Sequence, residues 1–222
     1  GTGGPGGTIN LVRKRPTVEP MVSAEISAGS WDNYRGMVDT SGALVDDGRV
    51  RGRLVLSERQ QGFDYDGGGK RKSTQAYGIV EVDLAPDTLW TLGLSHQDTD
   101  IRGAQRSLPA YRYTNAAGQP AMALADVSRK NFYGADWNRD YFWSTSVFTE
   151  LEHHLNNGWK AKLALRHADN NYDLTQAYAR NGGGIDPSDN LVSMNSIMFD
   201  YREKQDEADL YLDSGAEIGA GG

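Results

Sequence analysis

Apolar and polar residues alternate at period two along most of this chain, and stripes at helical spacing are hard to find. Val22, Ala24, Ile26 and Ala28 alternate with Ser23, Glu25, Ser27 and Gly29. Val50, Gly52, Leu54 and Leu56 alternate with Arg51, Arg53, Val55 and Ser57. The same rhythm runs through residues 75–84, 90–95, 147–152, 159–166 and 208–213. With residues 33–44 included, the pattern predicts eight strands. One face of these strands is apolar and the other carries full charges. A soluble sandwich would turn the charged face to water and the apolar face to a packed core. A membrane barrel would turn the apolar face to lipid and the charged face to a wet lumen. Alternation alone does not separate these two.

The connections do. Residues 46–49, 85–88 and 156–158 are tight turns by composition, rich in Asp, Asn, Gly and Pro. Between them lie long polar segments bearing aromatic residues, at 60–72, 98–138 and 169–193. Residues 30–33 form one short connection on the long-loop side. Short turns on one rim and long loops on the other are the asymmetry of bacterial outer-membrane barrels. A loop of some 40 residues fits a compact soluble domain poorly. Trp90 and Trp159 follow short turns, where an interfacial aromatic girdle is expected.

Composition narrows the field further. The 222 residues contain no Cys, which excludes a disulfide scaffold, a thiolate metal site and a Cys nucleophile. The net charge of -7 leaves no basic excess to neutralise phosphates, so no nucleic-acid partner is expected. No apolar run approaches the roughly 20 residues of a spanning helix. His96, His153, His154 and His167 form no metal-binding spacing, and His153 and His154 point to opposite strand faces. No enzyme signature is present. The opening residues contain G-x-G-x-x-G, but Pro5 interrupts it and the following residues 8–15 read as a strand, so it is no dinucleotide fingerprint.

The stretch GGPGGTINLVRKRPT at residues 3–17 resembles the end of the plug domain in TonB-dependent siderophore receptors. Ala28-Gly29-Ser30-Trp31-Asp32-Asn33-Tyr34-Arg35, followed by Asp39, Ser41 and Gly42, resembles the first two barrel strands of that family. Residues 47–53 resemble its next turn and strand. Residues 147–153 with Asn157-Gly158-Trp159 resemble its third periplasmic turn. The resemblance implies an all-β fold: an antiparallel transmembrane β-barrel of about 22 strands around an internal plug. This chain is then a fragment, with residues 1–17 ending the plug and 18–222 forming about eight barrel strands. It implies an outer-membrane receptor that takes up ferric siderophores, coupled to a TonB complex whose contact region lies outside this fragment. Iron travels as the ferric siderophore, so no resident cofactor and no protein metal ligands are implied. Outer-membrane lipid is the remaining partner. A passive outer-membrane channel and a soluble β-sandwich binding module are the alternatives.

Two sets of candidate residues follow from that resemblance. Arg102, Arg106, Tyr111, Tyr113, Tyr133, Trp137 and Trp143 lie in or beside the longest loop. Aromatic faces and guanidinium forks suit bulky, often anionic chelates, so some of these are expected to face the ligand vestibule. The alternative for each is packing of loop on loop, or the outer girdle. The second set concerns the plug: Arg13 and Arg15 are expected inside the barrel, with Glu150 and Glu152 as partners.

Overall fold

A computed structural model of the chain describes residues 13–63, 69–105, 110–124, 128, 130–156, 158–180 and 191–214. Among these it contains strands and no helix. Eight strands form one antiparallel sheet: β1 (Met21–Gly29), β2 (Asn33–Ala43), β3 (Val50–Gly62), β4 (Lys70–Ala85), β5 (Thr88–Arg102), β8 (Arg139–His154), β9 (Lys160–Ala179) and β10 (Met194–Asp213). Each pairs with its neighbours in chain order. A separate hairpin, β6 (Ala110–Thr114) and β7 (Pro120–Leu124), sits in the longest connection and pairs only with itself. The sheet therefore has the eight strands that the alternation predicts, and the hairpin is an addition.

Turn chemistry explains the tight rim. Gly48 and Gly158 adopt φ of +72° and +79°, the left-handed region that Gly enters without steric cost. In the first of these turns the Arg49 backbone and side-chain N–H groups donate to Asp47 and hold its carboxyl below the ordinary value. At the opposite rim Trp31 and Asp32 also take positive φ, which lets β1 reverse into β2 within three residues.

The strands on the loop side run further than the alternation predicts. β5 extends to Arg102, β8 begins at Arg139 and β9 continues to Ala179. Residues 98–102 and 169–179 read as loop because the face that is apolar lower down turns polar there, at Asp98, Asp100 and Arg102 and at Asp169, Asn171 and Asp173. The ladder continues regardless, since its hydrogen bonds do not depend on a greasy face. The expected strand over residues 8–15 carries no pairing at residues 13–15; residues 8–12 lie outside the described residues. Residues 13–15 instead bond the sheet through side chains and carbonyls, so a ladder partner is not needed there.

Burial is inverted relative to a water-soluble protein. Leu54, Leu56, Leu92, Leu94, Val147, Leu163 and Leu165 share one face and are all exposed. Asp39, Glu81 and Thr91 occupy the other face and are buried. Leu94 is 49% exposed while Glu81 is 4% exposed. No second layer of protein covers the leucines among the described residues.

The height of the apolar band fits a membrane. Trp90 stands opposite Leu151, and Trp143 lies eight residues from Leu151 along the same strand and on the same face. That is roughly 26 Å of strand at about 3.3 Å per residue, or about 20 Å of height at the tilt of membrane barrels. Leu94 lies midway. In lipid bilayers, Leu94→Arg in the receptor carrying this chain is expected to lower unfolding stability by about 2–4 kcal/mol. Gln97→Arg, on the polar face, is expected to leave it unchanged. Reversible urea unfolding from vesicles measures both, and equal effects would contradict the assignment of faces.

Candidate functional site

The polar face of the sheet holds a network built around residues 13–17. Strand alternation brings Asp39, Ser41, Arg51, Arg53, Tyr77, Glu81, Thr91, Phe148, Glu150 and Lys162 to this one face. Lys14 donates to Asp39 Oδ2 at 2.7 Å, and Arg53 donates to both Asp39 oxygens at 2.8 and 2.7 Å. Arg15 donates to Glu81 Oε1 at 2.5 Å, and Arg51 reaches the other oxygen of Glu81 at 3.3 Å while gripping Asp83. Arg13 pairs with Glu150 at 2.8 Å, and Lys162 pairs with the second Glu150 oxygen at 2.7 Å.

One rule describes all three. Each carboxylate bridges one cation of the 13–15 segment and one cation of the sheet. Asp39 and Glu81 are almost completely buried, and a buried carboxylate is tolerated only when paired and hydrogen-bonded. Main-chain groups add to the network. Arg53 donates to the Arg15 carbonyl, the Tyr77 hydroxyl donates to the Lys14 carbonyl, and the Thr17 N–H donates to Ser41 Oγ. Arg13 also lies 4.1 Å above the Phe148 ring, a cation–π contact. That ring occupies the space above Gly93, where a Cβ would overlap it. A cleft of about 620 Å³ opens beside these residues, lined by Arg13, Arg15, Tyr77, Thr91, Phe148 and Glu150.

Of the plug contacts expected from sequence, Arg13 and Glu150 meet. Arg15 takes Glu81 instead, because Glu81 faces it from β4 with an oxygen left over from Arg51. Glu152 touches neither arginine; it bonds His154 and lies 3.9 Å from Lys160. As partners of the 13–15 segment Asp39 and Glu81 carry no sequence signal, each being one acid among 30.

The expected ligand residues do not converge. Arg102 and Trp143 share the face of Leu94 and Val147 by uninterrupted register, so they point away from the polar face. Tyr111 and Tyr113 lie on the separate hairpin. Tyr133 and Trp137 sit in the following loop, where the Tyr133 N–H donates to Gln105. Arg106 lies outside the described residues. Among the described residues, Asn138 anchors the base of this loop: its amide donates to the Ala104 and Ala177 carbonyls and its oxygen accepts from the Ala177 N–H.

A different aromatic group does occupy the polar face. Phe142, Tyr172, Phe199 and Tyr201 contact one another across β8, β9 and β10. Phe142 and Tyr172 meet edge to face at 6.5 Å, as do Tyr172 and Phe199 at 6.1 Å, and Phe199 stacks on Tyr201. Phe199 and Tyr201 are nearly half exposed. The signal was available from parity, since Phe142 lies six residues from Phe148 and thus on its face. No cluster of three or more metal-binding side chains occurs among the described residues.

Comparison with known proteins decides the family. The ferripyoverdine receptor of Pseudomonas aeruginosa is 37% identical over 96% of this chain. The ferric-pyoverdine BN7/BN8 receptor of Pseudomonas putida is 36% identical over 95%. This chain belongs to the TonB-dependent siderophore receptor family. Its location is the bacterial outer membrane, and its sheet is part of that family's barrel. The solved structure of an FpvAI–pyocin S2 complex matches with a TM-score of 0.83 at 36% identity over 92% of the chain. The crystal structure of the ferripyoverdine receptor of Pseudomonas aeruginosa bound to ferripyoverdine matches with a TM-score of 0.81 at 36% identity over 92%. The chain spans about a quarter of the length of these relatives, 25% of the first curated one and 27% of the first solved one. No family model matches it.

Within this family the polar face becomes the lumen and the apolar face meets lipid. In the receptor carrying this chain, Asp39→Asn strips Lys14 and Arg53 of their shared counter-charge. Trypsin cleavage after Arg13 and Lys14 is expected to accelerate at least about tenfold, as a lost buried pairing of about 3 kcal/mol allows. A cleavage rate equal to that of the unaltered receptor would show that Asp39 does not hold the segment.

Proposed function

We propose that this chain is the plug-to-barrel section of an outer-membrane receptor that imports a ferric siderophore of the pyoverdine class. Residues 1–17 end the plug and residues 18–222 begin the barrel. The observation that carries this reading is the bridging network: a basic segment lies on the lumen face and contacts five strands, β2, β3, β4, β5 and β8. A passive channel has no use for such an obstruction. The first four relatives by similarity are named as ferripyoverdine or ferric-pyoverdine receptors, which supports the ligand class. A transport receptor, rather than an enzyme, fits both observations.

The bridging arrangement suits a plug that must move. Each carboxylate keeps its sheet-borne cation when the segment leaves: Arg53 for Asp39, Arg51 for Glu81 and Lys162 for Glu150. Withdrawal therefore strands no unpaired buried charge, the outcome that makes breaking such pairs expensive. A pull transmitted by a TonB complex breaks three ion pairs whose segment-side partners are about half exposed. The lumen aromatics Phe142, Tyr172, Phe199 and Tyr201 offer flat faces to a ligand above this point. The iron stays within the siderophore, and the protein supplies shape, stacking and charge.

Cells carrying the intact receptor are expected to accumulate radiolabelled ferripyoverdine only when the TonB system is energised. Tyr172→Ala and Tyr201→Ala are each expected to weaken ferripyoverdine binding by about three- to tenfold. Tyr141→Ala, on the lipid face, is expected to leave it unchanged. Uptake that persists without TonB would favour a passive channel. Energised uptake of another ferric siderophore, with ferripyoverdine excluded, would keep the receptor and overturn the ligand class.

A further inference from the structure

The charges of the lumen face surround one stretch of wall that has none. On β4, β5, β8 and β9, three successive rows run in register through Ser95, Gln97 and Thr99. The twelve lumen-facing positions in these rows carry hydroxyl, amide, Ala and aromatic side chains, and no charge. Ionic groups stand on every side: Arg166 and Glu150 toward the tight rim, Arg71 and Asp140 toward the long loops, Arg59 on β3 and Glu203 on β10. At strand and residue spacings of about 4.8 and 3.3 Å, the neutral patch measures roughly 14 Å by 13 Å.

The patch satisfies its own hydroxyls. Ser95 and Ser146 share a hydrogen bond at 2.8 Å, Ser73 and Thr99 share one at 3.0 Å, and Ser144 donates to Asn170 at 2.6 Å. Gln75 and Gln97 stand exposed at its centre.

The patch also joins the two sites already described. Its upper row includes Phe142 and Tyr172 of the aromatic group. Its lower row includes Tyr77, Ser95 and Ser146, which line the cleft beside Arg13 and Arg15. A chelate leaving the aromatic group for the plug segment meets neutral wall over that whole distance. A charge on the way would hold an opposite charge or turn back a like one, whereas hydroxyls and amides exchange their bonds with water at little net cost. Passage requires binding weak enough to leave.

We propose that this patch is the wall along which the ferric chelate travels from the aromatic group to the cleft beside residues 13–15. Its neutrality sets the rate of transport and adds nothing to affinity. The inference rests on the receptor function proposed above.

The test uses cells carrying the intact receptor and radiolabelled ferripyoverdine. It reads binding affinity in unenergised cells separately from the maximal uptake rate per receptor in energised ones. Gln97→Glu and Gln97→Lys are each expected to lower the maximal rate about fivefold, the effect of one unit charge about 4 Å away in water-like surroundings, with affinity unchanged. Gln97→Met, neutral and similar in size, is expected to keep the full rate. Met37→Lys is expected to keep it too, since Met37 lies in the same row of the lumen face but on β2, outside the patch. Rates of Gln97→Glu and Gln97→Lys equal to that of the unaltered receptor would overturn this proposal and leave the receptor function standing. So would an equal slowing by Met37→Lys or Gln97→Met, or a loss of affinity that accounts for the slowing. No energised uptake by the unaltered receptor would overturn both.

Discussion

A backbone placed in hydrocarbon has no water to bond, so every amide and carbonyl must find a partner within the protein. The antiparallel ladder from β1 to β10 meets that demand for the strands between its two edges. Once the ladder is fixed, each strand has two faces that live in different solvents. Leu92 and Leu94 look one way while Thr91 and Gly93 look the other, with only the pleat between them. A slip of one residue in register would send leucines into the lumen and carboxylates into lipid. The membrane thus holds the register as firmly as a packed core would.

The charges on the lumen face are organised by sharing. A buried carboxylate with a single cation would be stranded whenever that cation left. Here Asp39, Glu81 and Glu150 each hold two cations, one from the sheet and one from segment 13–15. The sheet is electrostatically complete by itself, and the segment is an addition to it. Phe148, lying over Gly93 and under Arg13, adds a flat contact that orients the segment without binding it irreversibly.

Much of this was legible in the residues. The eight strands follow from alternation such as Val80, Val82 and Leu84 against Ile79, Glu81 and Asp83, and the tight rim follows from Gly48 and Gly158. The family was legible in residues 3–17 and in the segments that follow. The strand ends were not, because above the apolar band the lipid-side positions of residues 169–175 become polar and the apolar-out rhythm is lost. The hairpin β6–β7 was hidden in a polar, aromatic loop, although the turn at Gly118, with φ of +75°, carries a Gly signal. Arg15 finding Glu81 depends on the path of the segment across the sheet, which no local pattern records. The face of Trp143 is legible from parity alone. Counting by twos from Val147 places it with the leucines, as part of the girdle, and places Phe142 with Phe148 in the lumen.

The central claim is that the two faces of each strand meet hydrocarbon and water respectively. Spin labels placed singly at residues 92, 94, 95 and 97 of the receptor in bilayers test it most directly. Oxygen, which partitions into lipid, should relax labels at 92 and 94 most strongly. A water-soluble nickel chelate should relax labels at 95 and 97, out of phase at period two. Oxygen and nickel accessibility rising together along β5, or no alternation at all, would contradict the account.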